Sequence, residues 1–204
     1  MTFSNNLLYN CKSYGQTTYD ASGWGVWYAG GVGQIFGQWA KSLGCNVIGT
    51  VGSDEKIENA KQNGYDHVIN YNKDNFAEKV KEITEGKGLS VVYDGVGKNT
   101  FDGSIECLKL RGMLVSFGNA SGPLDPVNVA KSIQPKGLYL TRPSIKQYTT
   151  TREELDEAAN KVFEMYITKK FTLNIFKKYP LSEIVKAHQD LEGRKIVGPA
   201  VIIP

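Results

Sequence analysis

From about Val32 onward, helix-period segments alternate with short apolar runs, a pattern that predicts βα units on a parallel sheet. Val32, Ile35, Phe36, Trp39, Ala40 and Leu43 fall on one face of a helix that Gly44 closes. NVIGTV at 46–51 predicts a buried strand. Ser53 is suited to N-cap the following helix, with Asp54 and Glu55 at the positive end of its dipole and Gly64 past its end. HVINY at 67–71 predicts the next strand, and Phe76, Val80 and Ile83 a helix that leads through EGKG to the strand LSVVYDG. The unbroken apolar centre of that strand suits a sheet covered on both faces. A helix from Thr100 to Leu108 precedes strands at GMLVSFG, 112–118, and GLYLTRP, 137–143.

The pattern then changes in kind. Thr151 and Glu154 form a capping-box pair ahead of an amphipathic helix carrying Leu155, Ala158, Ala159, Val162, Phe163, Tyr166 and Ile167. An extended segment at 172–179, a helix at 182–191 and the apolar run AVIIP follow. At the other end, residues 1–28 are rich in Asn, Ser, Gly and Tyr and show no period, with GVWY at 25–28 the one candidate for a first strand.

The cluster AGGVG, Ala29–Gly33, stands where that first strand must turn into a helix. Gly30 would let the backbone approach a pyrophosphate, Gly33 would let the helix pack closely on the sheet, and the helix N-terminus offers free N–H groups to an anion. Against the G-x-G-x-x-G pattern, the first glycine position holds Tyr28, and by itself the cluster reads equally as a glycine-rich turn that binds nothing. Its place before an amphipathic helix and further βα units favours a Rossmann-type dinucleotide site.

In this fold an Asp or Glu near the end of the second strand, about 20 residues past the glycines, accepts from the ribose hydroxyls of NAD. Here the strand ends with Thr50, Val51, Gly52 and Ser53, and Lys56 follows, so neutral and cationic groups favour the 2′-phosphate of NADPH. Asp54 or Glu55 could still turn inward, and Lys56 could be an ordinary solvated lysine.

Composition narrows the class without adding to the site. Apolar residues at 41%, charged residues at 22% and a formal net charge of +3 without charge blocks describe an ordinary globular chain and give no warrant for nucleic-acid or membrane binding. Cys11, Cys45 and Cys107 match neither a disulfide framework nor a metal site, and His67 and His188 stand far apart, so no metal is expected. No basic, apolar leader and no membrane-length run is present, which points to the cytoplasm.

AGGVGQIFGQWAKSLGCNVIGTVGSDEK, VVYDGVGKNTF, RGMLVSFGNASG, LYLTRPS, TTREEL, KKYPLSE and LEGR together resemble the zeta-crystallin-like quinone oxidoreductases, of the zinc-free branch of the medium-chain dehydrogenase/reductase superfamily. The resemblance runs from Ala29 to Pro204, and SFGNASG and LTRPS are specific to that branch. It implies an α/β fold with a Rossmann-type doubly wound parallel sheet, oxidation of NADPH with reduction of a quinone or related carbonyl, and a homodimer. It places Gly30, Gly31, Val32 and Gly33 on the pyrophosphate, with Lys56 and Tyr71 toward the adenosine 2′-phosphate, where the strand-end reading also puts Ser53. Phe117 and Gly118 fall beside the nicotinamide half, and Thr141, Arg142 and Arg194 near the cofactor. Tyr71 could equally cap the sheet edge, Phe117 belong to the core, and the arginines be solvated. Because hydride transfer draws its chemistry from the nicotinamide, no catalytic side chain is demanded and none is named.

The departures shape the expected domain plan: an atypical segment at 1–28, an NADPH-binding domain at 29–147, and a remainder at 148–204 from an incomplete GroES-like catalytic domain. Family members carry that domain ahead of the nucleotide-binding one, so the segments at 172–179 and 200–203 are expected to lack sheet partners. Residues 1–28 are foreign to the family pattern, as if from a rearranged or shifted reading frame. A non-catalytic NADPH-binding remnant is the competing reading. Tyr166 and Lys170 also have the Y-x-x-x-K spacing of short-chain dehydrogenases, but Tyr166 lies on an apolar helix face and the glycine pattern is wrong for that family.

Overall fold

The computed structural model describes residues 24–27, 30–193, 195–196 and 198–204. Six parallel strands form one sheet in the order β3-β2-β1-β4-β5-β6. They are β1 (Trp24–Trp27), β2 (Val47–Val51), β3 (His67–Asn70), β4 (Leu89–Asp94), β5 (Leu108–Ser116) and β6 (Tyr139–Thr141). Crossing between them are the helices α1 (Gly30–Ser42), α2 (Glu55–Gln62), α3 (Phe76–Ile83), α4 (Phe101–Cys107) and the short α5 (Val129–Ser132). The chain winds outward to β3, returns to the middle at β4 and winds the other way, so the order reverses between β1 and β4. A crevice opens at such a switch point, at the carboxyl ends of the strands.

Two apolar layers cover the sheet. One gathers Ala40, Val47, Val51, Tyr65, Val91 and Val115; the other gathers Ile48, Val80, Leu89, Val92, Leu108 and Leu114. Every residue of β2 is buried, as expected of a parallel strand with both faces covered. Tyr65 fastens α1 to this sheet. Its ring lies so close to Gly37 and Gly49 that a β-carbon on either would stand 2.3–2.4 Å from it, and its hydroxyl donates to the Gly33 carbonyl at 2.9 Å. A close helix–sheet contact of the kind expected at Gly33 is seen at Gly37, one helical turn later.

Three local expectations need correction. Asp54, not Ser53, is the N-cap of α2, and its side chain makes no cap bond because it is engaged elsewhere. Val32 and Leu43, read as core-face positions, are exposed: Val32 lies in the first turn of α1 and Leu43 just past its end. The strand expected at 112–118 begins at Leu108, directly after α4.

Beyond the sheet come α6 (Ile145–Tyr148) and α7 (Arg152–Ile167), the latter with its Thr151–Glu154 capping box formed. A second sheet joins β7 (Lys177–Pro180) in parallel to β8 (Ala200–Ile203), with α8 (Ile184–Glu192) between them. The expectation that these two segments lack partners is therefore wrong, because they pair with each other, Tyr179 opposite Ile202. Phe171, stacked on Trp39 at 6.3 Å between centroids, and Gln38, which donates to the Thr172 carbonyl at 3.1 Å, tie this part to α1. Among the described residues no helix is long and apolar enough to cross a membrane. Most of segment 1–28 lies outside the described residues.

Candidate functional site

Gly30–Gly33 form the first turn of α1 after β1, so the glycine cluster supplies a helix start rather than a loop ahead of one. Backbone N–H groups in a first helical turn have no intrahelical acceptor and face the carboxyl edge of the sheet. Neighbouring strand ends deliver the other expected residues to that edge. Ser53 and Lys56 follow β2, Tyr71 follows β3, Phe117 and Gly118 follow β5, and Thr141 ends β6 with Arg142 after it. Arg194 lies outside the described residues.

Between β4 and β5 the backbone is drawn tight. A β-carbon on Gly118 would stand 2.3 Å from the Gly95 carbonyl oxygen, and one on Gly95 would stand 2.9 Å from the Phe117 ring. The half-buried Phe117 thus lies over the turn after β4. Arg142 donates to the Ser116 hydroxyl at 3.2 Å and carbonyl at 3.3 Å, so its guanidinium braces the end of β5.

Beneath this turn is a residue to which the pattern of the chain gave no role. Asp94, 1% exposed, accepts from the N–H groups of Val96 and Gly97, from the Thr100 hydroxyl, which lies within reach of both carboxylate oxygens, and from Ser104 Oγ at 2.9 Å. Its own carbonyl accepts from Phe117 N at 2.8 Å, so one buried carboxylate and its backbone fix both loops that border the crevice on the β4 side.

On the β2 side the charges are arranged differently from the inward turn left open for Asp54. Its carboxylate accepts from Asn70 Nδ2 at 2.7 Å and pairs with Lys73, and these contacts hold its pKa below the ordinary value. Lys56 is half-buried, and its ammonium has no partner among the described residues. The Tyr71 hydroxyl lies where a β-carbon on Gly52 would meet it at 2.8 Å. Thr50, next to last in β2, keeps a buried hydroxyl without a partner among the described residues. Lys73 belongs to this group, and the sequence offered no signal for it beyond a lysine in a polar loop.

A separate cavity of about 500 Å³ opens at the amino ends of β4 and β5, lined by Lys81, Lys109, Lys136 and Cys107 among others. It contains none of the expected site residues and lies at the opposite sheet edge. Burial pushes the Cys107 thiol up to about 12, so this cysteine stays protonated and is no nucleophile at neutral pH.

A family model described as zinc-binding dehydrogenase matches residues 31–164. The chain is 48% identical over 178 residues to the quinone oxidoreductase of Salmonella typhimurium, covering 86% of this chain and 54% of that protein. It is 42% identical over 177 residues to the 2-haloacrylate reductase of a Burkholderia species, covering 86% and 53%. The crystal structure of Escherichia coli quinone oxidoreductase complexed with NADPH superposes with a TM-score of 0.87 at 42% identity, covering 99% of this chain and 62% of that one. The chain thus spans about half the length of the curated relatives it matches.

The matching model's description names zinc, and the donor set does not fit one. Among the described residues no three His, Cys, Asp or Glu side chains come together as ligands, and Cys45 and Cys107 are buried in separate apolar layers. No step is assigned to a metal.

Proposed function

The chain belongs to the zinc-binding dehydrogenase family, and from that premise we propose that it is the nucleotide-binding part of an NADPH-dependent quinone oxidoreductase. The observation that carries the reading is the crevice itself. A glycine-built helix start stands at the switch point of a parallel sheet, flanked on the β2 side by Lys56 and Tyr71, with the nearest carboxylate, Asp54, paired to Lys73. A dianionic 2′-phosphate is favoured there over a bare ribose, since charge-assisted contacts require a cation and tolerate no competing free carboxylate. The likeness to an E. coli quinone oxidoreductase crystallised with NADPH supports the same assignment.

In this reading Gly30, Gly31, Val32 and Gly33 hold the pyrophosphate, and Ser53, Lys56 and Tyr71 hold the adenosine phosphate. Phe117 and Gly118 border the nicotinamide, Thr141 and Arg142 support that side, and Arg194 joins them from the C-terminal part. The bound cofactor supplies the hydride. The protein's own contribution is orientation and exclusion of water, which Asp94 serves by holding the loops at 95–97 and 117–118 rigid. The acceptor is a quinone or a related activated carbonyl. We propose a homodimer, supported by β6, an edge strand on which Tyr139 and Leu140 are exposed, and a location in the cytoplasm.

Calorimetric titration with NADPH and NADH, followed by NADPH-dependent quinone turnover on the same preparation, tests both parts. NADPH is expected to bind at least about tenfold tighter, as one charge-assisted contact allows, with Lys56→Ala removing most of the difference. Equal affinities refute the cofactor assignment. The chain's match to about half of each relative makes turnover the separate question, and NADPH binding without turnover identifies the non-catalytic reading instead.

A further inference from the structure

We infer that Asp54, Asn70 and Asn72 form a latch between the loops after β2 and β3, and are positioning residues that set the preference for NADPH over NADH. The inference rests on the assignment of the crevice to NADPH. The loop after β2 leads into the first turn of α2, where Lys56 stands, and the loop after β3 carries Tyr71; neither residue can meet a phosphate unless the two loops hold a fixed spacing.

The latch has contacts in both directions. Asn70, 5% exposed at the end of β3, donates to Asp54 Oδ1 at 2.7 Å and accepts from Asn72 N at 3.1 Å. Asn72 Nδ2 returns to the Gly52 carbonyl at 2.7 Å, and Tyr71 N donates to the Val51 carbonyl at 3.1 Å. The backbone of Tyr71 is thereby pinned on both sides, and its hydroxyl comes to rest over Gly52, where a β-carbon would have to displace it.

The same contacts dispose of a charge. Asp54 is the carboxylate nearest the end of β2, and Lys73 and Asn70 keep it ionised and turned toward β3. Freed from them, it could swing toward the crevice, repel a 2′-phosphate and accept instead from the two hydroxyls of an unphosphorylated ribose. The latch therefore favours NADPH twice, by holding Tyr71 in place and by withholding a competing anion.

The test compares NADPH and NADH affinities, measured by calorimetry, for the whole chain and for Asp54→Asn, Asn70→Ala and Asn72→Ala, each with a thermal unfolding curve. Asn70→Ala removes one of the two contacts that hold Asp54, leaving Lys73, and is expected to weaken NADPH by roughly tenfold while NADH changes by less than about twofold, as loss of one charge-assisted contact predicts. Asn72→Ala should move the ratio the same way by a smaller factor. Asp54→Asn keeps an acceptor for Asn70 and carries no charge, so it should retain the preference. A purely structural network would lower unfolding temperature and both affinities together, and that result, or an unchanged ratio in Asn70→Ala, overturns the inference. An unmutated chain without NADPH preference overturns the cofactor assignment as well, and is recognised before any variant is made.

Discussion

The two sheets of this molecule are both parallel and both joined by helices, yet they differ in how they are held. In the six-stranded sheet, β2 is buried throughout and β4 nearly so, sandwiched between apolar layers. In the two-stranded sheet every residue of β8 is exposed, and β7 buries Tyr179 alone. Backbone pairing is present in both, so hydrogen bonding does not distinguish them. Apolar burial does, at about 25 cal/mol per Å² removed from water. The small sheet is anchored instead by a polar cluster in which Tyr179 donates to Asp190 at 2.8 Å and Lys177 lies 4.5 Å from the Tyr179 ring centroid.

This contrast can be broken from the large sheet first. Asp94→Ala would take an acceptor from two buried hydroxyls and two backbone N–H groups at once, and should cost about 3 to 5 kcal/mol in urea unfolding, with cofactor binding lost in parallel. A cost below about 1 kcal/mol would mean that the loops beside the crevice are held by something else. Tyr65→Phe removes only the hydroxyl that reaches the Gly33 carbonyl, so about 1 to 2 kcal/mol is expected, with the first turn of α1 exchanging its amide protons faster.

Acid should separate the sheets. Hydrogen bonding from Tyr179 holds the Asp190 pKa below its ordinary 3.8, so the contact contributes stability above that pH and loses it as the pH falls through the lower folded value. Resonances of β7 and β8 should therefore shift on acidification below 3.8. If they do not move, the Tyr179–Asp190 contact does not anchor the sheet.

The smallest effect on stability should come from Ile202→Lys, within about 0.5 kcal/mol, because the site is already solvated. Its consequence lies in association: a lysine on this edge should reduce concentration-dependent assembly in sedimentation, since exposed apolar edges recruit other strands. Unchanged assembly would assign the sticky surface to β6 or to the exposed Phe163 and Ile167 of α7.

The sequence by itself determined the succession of elements, because a strand buried on both faces must be apolar throughout and a surface helix must repeat at its own period. It also placed the glycine cluster between a strand and a helix, and it put neutral residues at the end of β2 with Asp54, Glu55 and Lys56 just beyond. Tertiary structure decided what depends on residues far apart in the chain. No local pattern joins Tyr65 to Gly37 and Gly49, Asp94 to Ser104, or Asp54 to Asn70 and Lys73. The pairing of β7 with β8 was likewise invisible, since an apolar strand records that it needs a partner and not which one. Period is a property of neighbouring residues, whereas a buried polar group finds its acceptor only after the sheet has brought distant loops to one edge.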